Sequence, residues 1–317
     1  MTLRGTRKIA LLVVAVSGVL LMVSCQQAAV EPARWFSRAP MSVPRDEFGA
    51  AVVRGRIYVF GGMTGQRGND LRSGESYDPQ ADDWQPVPNL PRARSALRAA
   101  AVGPRIFLLG GATKSGPTNM VESFDTERLA WTSEPPMPTP RFDLAVAAIE
   151  DEIYAVGGYA ATGATNRLEA FDTTTKAWIS LPPMPTARYN LAAAVLGQRL
   201  YAIGGRNNGD PLPTVEIYDP NAKVWQQGPP LPQGLSNFAA VTVQGAIHTL
   251  LHRMHFVLRE GAQSWETDVP PRLSRHGLAV LAIGDQMYAV GGCTEQLRDS
   301  AATEVFASPS QIPRSGE

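Results

Sequence analysis

The chain has 317 residues, which is enough for one large domain or two ordinary ones. Only 18% of the residues are charged, and 29 Lys and Arg residues balance 29 Asp and Glu residues. This balance gives no reason to expect a nucleic-acid partner, because surfaces that bind nucleic acids carry an excess of basic residues. The 29 glycines and 26 prolines are spread along the chain, a pattern that favours many short strands and turns over disorder.

Residues 1–24 have the pattern of a lipoprotein signal peptide. A basic start, MTLRGTRK, precedes an apolar run from Ile9 to Val23, and this run is too short to span a bilayer comfortably. The sequence MVSC that ends at Cys25 resembles a bacterial lipobox, in which signal peptidase II cleaves before the cysteine and the thiol carries diacylglycerol. The alternative is an ordinary signal peptide followed by an accidental cysteine.

Lipidation of Cys25 would anchor the chain stably at a membrane, since each buried CH₂ group contributes about 0.8 kcal/mol. We therefore predict an exported protein that is lipid-anchored at the bacterial cell envelope, on its periplasmic face or its outer surface. Residues 25–33 would form the lipidated tether, and residues 308–317 a loose C-terminal tail. Cys293 would then be the one remaining cysteine, so no disulfide is expected in the mature chain.

A double glycine recurs along the rest of the chain with nearly constant spacing, and the six tryptophans follow the same period. The pairs are Gly61-Gly62, Gly110-Gly111, Gly157-Gly158, Gly204-Gly205 and Gly291-Gly292. The wide gap before the last pair has room for a degenerate repeat, in which Leu251-His252 takes the glycine position. Such self-similarity predicts an architecture of six repeats.

Each repeat reads as four short strands, named a to d. In the fourth repeat, strand a is LAAAVL, strand b is RLYAIGG, strand c is TVEIYD and strand d is KVWQQG. These runs are rich in β-branched and aromatic residues and are bounded by Gly, Pro, Asn and Asp. Strand a is rich in alanine in most repeats, and small side chains suit the innermost strand of a β-propeller.

The repeated features resemble those of the kelch family of β-propellers. They are the double glycine after strand b, the E-x-[YF]-D sequence of strand c and the tryptophan of strand d. The last repeat ends without a tryptophan, whereas RWFSRAPMSVPR near the start is a strand d with no preceding a, b or c. We therefore predict an all-β fold: a six-bladed kelch β-propeller over residues 34–307, with four antiparallel strands per blade, in which the N-terminal strand completes the C-terminal blade.

The positions that enter strand a are predicted to lie near the axis, on the face that carries the long b–c loops. One of these positions is arginine in five repeats, and five guanidinium groups near one channel mouth would favour an anionic ligand. These arginines are Arg45, Arg94, Arg141, Arg188 and Arg275. The competing interpretation is structural, with each arginine tying neighbouring blades together.

The next two positions vary between repeats and are better candidates for ligand specificity. The candidates are Phe142, Asp143, Tyr189, Asn190, Asn237 and His276. Among the groups at this mouth, Glu47, Asp143 and His276 are those that could act as acid or base.

No catalytic signature stands out in the sequence, and we predict no cofactor and no metal site. His248, His252 and His255 lie in the degenerate fifth repeat. A drifted blade with packed histidines accounts for them better than a zinc site, which needs three ligands that converge on one point.

The resemblance implies two kinds of function. Kelch adaptors of ubiquitin ligases are non-catalytic platforms that grip acidic peptides with loop arginines. The exported bacterial N-acetylneuraminate epimerase is similar to this chain in being a six-bladed kelch propeller outside the cytoplasm, and its substrate is a carboxylated sugar. We expect a membrane-tethered, monomeric binding module for a glycan, sugar acid or envelope protein; the alternative is a sugar-acid mutarotase or epimerase.

Overall fold

The computed structural model describes residues 33–65 and 69–307, and the signal segment, Cys25 and the C-terminal tail lie outside these ranges. The described residues form six four-stranded antiparallel sheets, which are the blades of a propeller, and four two-residue pairs in the loops. The predicted all-β, six-bladed fold is therefore confirmed. Within these two ranges, no helix is long and apolar enough to cross a membrane.

Each blade runs outward from strand a to strand d, and blades 1 to 6 follow the chain. Strands a are Gly49–Val53, Arg98–Val102, Ala145–Ile149, Ala192–Leu196, Ala239–Val243 and Ala279–Ile283. Strands b are Arg56–Phe60, Arg105–Leu109, Glu152–Val156, Arg199–Ile203, Ala246–Leu251 and Gln286–Val290. Strands c are Gly74–Asp78, Val121–Asp125, Leu168–Asp172, Val215–Asp219, Met254–Arg259 and Thr303–Ala307. Strands d are Asp83–Val87, Ala130–Glu134, Ala177–Leu181, Val224–Gln227, Glu266–Thr267 and, for blade 6, Arg34–Arg38.

Strands a pack against one another around the whole ring. Their alanine-rich sequences allow this approach, because six sheets converge there and leave little room for large side chains. Between them lies a cavity of about 180 Å³, lined by alanines together with Arg98, Asn237 and a few larger apolar side chains. The small residues of strand a thus leave a narrow channel along the axis.

The N-terminal strand closes the ring, as predicted. Arg34–Arg38 pairs antiparallel with Thr303–Ala307, in register from Arg34↔Ala307 to Arg38↔Thr303. Trp35 packs on Phe306 with ring centroids 5.2 Å apart. Blade 6 therefore has the same four strands as the other blades, although they come from both ends of the propeller.

The repeated tryptophan links each blade to the one before it. In five blades its ring packs on the Tyr or Phe of strand c, with centroid separations of 5.0–5.2 Å. In all six blades its indole N–H donates to a backbone carbonyl that follows strand d of the preceding blade, at 2.9–3.1 Å. The pairs are Trp35–Val269, Trp84–Ala39, Trp131–Pro88, Trp178–Pro135, Trp225–Pro182 and Trp265–Pro229.

The double glycine links each blade to the next one. Its second residue donates its N–H to the carbonyl of the residue that enters strand a of the next blade, at 2.8–3.0 Å in five blades. In blade 5, His252 makes the same bond to Arg275 at 2.7 Å. Gly111 shows why glycine is needed: its φ is 108°, and a Cβ there would lie 2.7 Å from the carbonyl oxygen of Ser95.

The substitutions Gly111→Ala and Gly163→Ala form a matched pair. The two glycines have φ values of 108° and 107°, so alanine costs a similar backbone strain of about 1–3 kcal/mol at both. A Cβ at Gly111 would meet backbone, whereas nothing lies within 4 Å of a Cβ at Gly163. We expect Gly111→Ala to lower the free energy of unfolding by about 1–3 kcal/mol more than Gly163→Ala, as measured by urea denaturation. Equal losses would contradict the importance of the close approach between blades.

Candidate functional site

The five arginines that enter strand a are buried inside their blades. Each is at most 1% exposed. In blade 3, Arg141 donates to the backbone carbonyl of Gly157 at 2.8 Å and to the carboxylate of Glu169 at 2.8 Å. Glu169 is the glutamate of E-x-[YF]-D in the same blade, and the other four arginines make the equivalent ion pair. These pairs are Arg45–Glu75, Arg94–Glu122, Arg188–Glu216 and Arg275–Glu304.

This burial corrects the prediction that the arginines line the channel mouth and contact an anionic ligand. Their guanidinium groups have almost no surface to offer, and their charge is already paired. The structural interpretation also needs a change, because these side chains tie parts of one blade together and not neighbouring blades. Blade 5 supports this role: Leu235 replaces the arginine and Phe256 the glutamate, so both charges are lost together and none is left buried alone.

Two residues beyond each arginine position, six backbone groups form a closed ring around the axis. The N–H of each residue donates to the carbonyl of the corresponding residue in the preceding blade, at 2.8–3.1 Å. All six residues have a left-handed backbone, with φ between 50° and 61°. We call this set the mouth ring, and its members are Glu47, Ala96, Asp143, Asn190, Asn237 and Gly277.

The mouth ring holds two buried carboxyl groups that influence each other. Burial and the negative charge of Glu47 raise the pKa of Asp143 to about 7, although Arg98 opposes this shift. Burial likewise raises the pKa of Glu47, against the effects of Arg98 and of a hydrogen bond from Asn237. With its Nδ2 turned towards Asp143, as the hydrogen-bond network requires, the Asn190 amide donates to both carboxylate oxygens at 3.0 and 3.1 Å. The ring therefore presents acid and amide groups, one of which changes protonation near neutral pH.

Three aromatic side chains of blades 3 and 4 lie in a row next to the mouth ring. Phe142 packs on Tyr159 with ring centroids 5.3 Å apart, and Tyr159 meets Tyr189 edge to face at 5.0 Å. All three are partly exposed. Arg206 forms a backbone bridge with Tyr189, and its Nε is buried without a hydrogen-bond partner. We call Phe142, Tyr159, Tyr189 and Arg206 the aromatic ledge.

Sequence reasoning found Phe142 and Tyr189 but missed Tyr159 and Arg206. The missed residues come directly after a double glycine, and the structure pairs that position with the residue before the mouth ring. In blades 1 and 2 the equivalent bridges are Asp46–Met63 and Ser95–Ala112. Aromatic residues are thus not demanded by the fold at these positions, and their presence together is a property of blades 3 and 4.

The predicted residue His276 lies on another part of this face. Its ring contacts His252 with centroids 5.4 Å apart, and its Nδ1 is buried without a hydrogen-bond partner. Burial and the nearby His252 lower the pKa of His276, so the ring is neutral at neutral pH. Cys293, paired with His276 in the backbone, is also buried, and burial together with nearby carboxylates raises the pKa of its thiol to about 11. The thiol is therefore protonated, which agrees with a small packed side chain.

The fold and these loops define a six-bladed propeller with one chemically varied face. The chain belongs to the kelch-motif family. The family model for the Kelch motif matches residues 44–91, 93–138, 140–185 and 187–232, which together make up more than half of the chain.

Curated relatives match this chain over short stretches. Kelch-like protein 23 from Mus musculus is 44% identical over 63 residues, which are 20% of this chain and 11% of that protein. F-box protein AFR from Arabidopsis thaliana is 35% identical over 78 residues, which are 25% of this chain and 21% of that protein. The chain thus spans about a tenth to a fifth of the length of the curated relatives it matches.

Among solved structures, the one described as "Structure of YjhT" is similar in fold. It superposes with a TM-score of 0.72 at 14% sequence identity, over 84% of this chain and 96% of that chain. At this identity the likeness concerns the architecture of the propeller.

The substitution Glu169→Ala tests the buried ion pairs. It leaves Arg141 buried without its counter-charge, and we expect the free energy of unfolding to fall by about 3–5 kcal/mol. The control Glu266→Ala removes an ion pair with Arg259 in which both side chains are 65% exposed, and it should cost less than about 1 kcal/mol. Chemical denaturation of both variants makes the comparison. A similar small loss in each would show that the buried pairs do not hold the blades together.

The substitution Asp143→Asn tests the raised pKa in the mouth ring. The pKa of Asp143 is about 7 in the folded chain, against about 3.9 for an unperturbed aspartate. The folded state therefore holds this proton more tightly, and the carboxyl group lowers stability as the pH rises from about 4 to about 7. We expect the asparagine variant to lose less stability than the unmodified chain between these pH values, as followed by thermal unfolding. Parallel pH profiles would contradict the raised pKa.

Proposed function

We propose that this chain is a membrane-tethered, exported binding module that recognises a glycan at the aromatic ledge and the adjoining mouth ring. The aromatic ledge is the observation that carries the proposal. One side of a sugar ring is lined by C–H groups and packs on aromatic rings, while its hydroxyl groups need hydrogen-bond partners. A row of partly exposed rings beside polar groups meets both needs.

The polar groups that such a ligand requires come from the same short segments as the rings. Asp143 follows Phe142, and Asn190 follows Tyr189, so each ring is one residue away from a carboxylate or an amide. The Nε of Arg206, which has no hydrogen-bond partner, could donate to an acidic substituent of the sugar. In this proposal Arg206 takes the role that the sequence had suggested for the five buried arginines.

Support for the tether comes from the MVSC sequence that ends at Cys25 and from the position of the first strand. The propeller begins at Arg34, so residues 25–33 separate it from the proposed lipid anchor. Nine residues reach at most about 30 Å when fully extended. A tether of this length would keep the propeller close to the membrane surface, where envelope glycans are found.

Binding to glycans is tested with the full chain in detergent, by thermal shift against neutral and acidic oligosaccharides, followed by titration of any ligand found. We expect Tyr159→Ala to weaken binding about tenfold or more, because about 1.4 kcal/mol of stacking corresponds to that factor. Tyr201→Ala is the matched control, since Tyr201 is a partly buried aromatic residue of strand b away from the aromatic ledge, near the a–b turn. Its affinity for the ligand should be unchanged.

Two outcomes would count against this proposal. Binding of no glycan, or equal loss in both tyrosine variants, would remove the aromatic ledge as a site and leave an envelope protein as the partner. Interconversion of the anomers of N-acetylneuraminate by the chain, followed by NMR and abolished in Asp143→Asn, would replace the binding module by the sugar-acid mutarotase. The raised pKa of Asp143, about 7, is the observation that favours this second function.

The lipid anchor is tested by Cys25→Ser in a bacterial host. We expect the unmodified chain to incorporate labelled fatty acid and to sediment with membranes, and the variant to lose both properties because serine offers no thiol for the lipid. Cys293→Ser serves as the control and should leave labelling unchanged. Labelling that persists in Cys25→Ser would contradict the assignment.

A further inference from the structure

Two histidine side chains of blade 5 meet inside the blade. His248 in strand b and His255 in strand c are 9% and 0% exposed, and His248 Nδ1 lies 2.8 Å from His255 Nε2. The third histidine of this repeat, His252, contacts His276 instead. The three histidines therefore separate into a buried pair and a residue of the loop face.

The pair stands where other blades have aromatic or aliphatic side chains. The position of His248 is tyrosine or phenylalanine in the other five blades. The position of His255 is Val215 in blade 4 and Leu168 in blade 3. Two polar rings at touching core positions need hydrogen bonds or a common ligand, because an unpaired polar group is costly to bury.

The backbone determines which nitrogen of His255 carries the proton. Its Nδ1 lies 2.8 Å from the carbonyl oxygen of Val269, which can only accept, so Nδ1 is the protonated atom. The bare Nε2 then points towards His248. A ring N–H held by a carbonyl, with the other nitrogen free, is the arrangement that metal-binding histidines show in proteins.

Both rings are also in the charge state that a metal ion requires. Burial lowers the pKa of His248 to about 4, and it lowers the pKa of His255 as well. The imidazoles are therefore neutral at neutral pH, and no proton has to be removed from a cationic ring when an ion binds.

A carboxylate completes the set of donors. Asp268 follows strand d of blade 5, and its backbone N–H donates to the carbonyl of His255 at 3.0 Å. A carboxylate oxygen of Asp268 and one ring nitrogen of each histidine lie within 4.8 Å of one another. Asp268 is partly exposed, so the site has contact with solvent on that side.

We propose that His248, His255 and Asp268 bind one divalent transition-metal ion of the class of Zn²⁺ or Co²⁺. Two imidazoles and one carboxylate are donors that these ions prefer, whereas Mg²⁺ and Ca²⁺ prefer sets made of oxygen. Bonds of about 2.0–2.2 Å to such an ion draw the three donors closer than 4.8 Å, which rotation of the Asp268 side chain allows.

The site lies at the seam where the ring closes. The Val269 carbonyl that orients His255 also accepts the indole N–H of Trp35, at 2.9 Å. The rings of Trp35 and Phe306, which belong to blade 6, pack beside His255 with centroid separations of 6.3 and 5.5 Å. An ion at this place therefore links two strands of blade 5 to the segment that holds the N-terminal strand, and its binding stabilises the closure.

The test uses the full chain in detergent, freed of metal with a chelator and titrated with Zn²⁺ by calorimetry and with Co²⁺ by visible absorption. We expect one ion per chain, and a loss of affinity of more than about tenfold in His248→Ala and in Asp268→Asn. Asp268→Asn serves in case the histidine variant fails to fold, because Asp268 is partly exposed. The matched control His252→Ala removes a histidine of the same repeat and should leave the affinity unchanged.

Three results would overturn the site. Absence of binding by either ion would leave the two histidines as a hydrogen-bonded pair. Unchanged affinity in both His248→Ala and Asp268→Asn would place the ion elsewhere. A thiolate charge-transfer band with Co²⁺ that disappears in Cys293→Ser would assign the ion to the group formed by Asp46, Cys293 and Asp299.

Discussion

Each blade of this propeller completes its backbone hydrogen bonds with its neighbours. The double glycine donates to the next blade, and each residue of the mouth ring donates to the preceding one. A buried N–H without a partner costs about 1–3 kcal/mol, so a blade at an open end would leave these groups unpaired. The closed ring satisfies all of them, and it fixes the distance of each strand a from the axis. The positions of Asp143, Asn190 and the neighbouring aromatic rings all follow from this closure.

The division of work between backbone and side chains explains where chemical variety is found. Backbone bonds and tryptophans join the blades, while the buried arginine–glutamate pairs hold each blade together internally. Side chains between the mouth ring and the residue after the double glycine have no part in either task. They are free to differ from blade to blade, and blades 3 and 4 use this freedom for Phe142, Tyr159 and Tyr189.

The repeat pattern predicted the fold well because its most regular residues are those that join strands and blades. Glycine and tryptophan were identified by their period alone, and so was the closing strand. The arginines were misjudged because periodicity shows that a position matters but not where its side chain points. Arg141 meets Glu169, a residue 28 positions away that had been assigned to hydrogen bonding within the repeat, and only the folded blade shows the two together. Tyr159 was missed because its neighbour Phe142 comes from the other end of the repeat.

Closure by Arg34–Arg38 also sets an order of assembly. This strand is the first part of the propeller to be synthesised, yet its hydrogen-bonding partner, Thr303–Ala307, is the last. Blades 1 to 5 draw their strands from consecutive stretches of chain and can form as these stretches appear, whereas blade 6 requires both chain ends. The earliest strand therefore waits longest for its place in a sheet, and the molecule becomes a ring only with the final step of its folding.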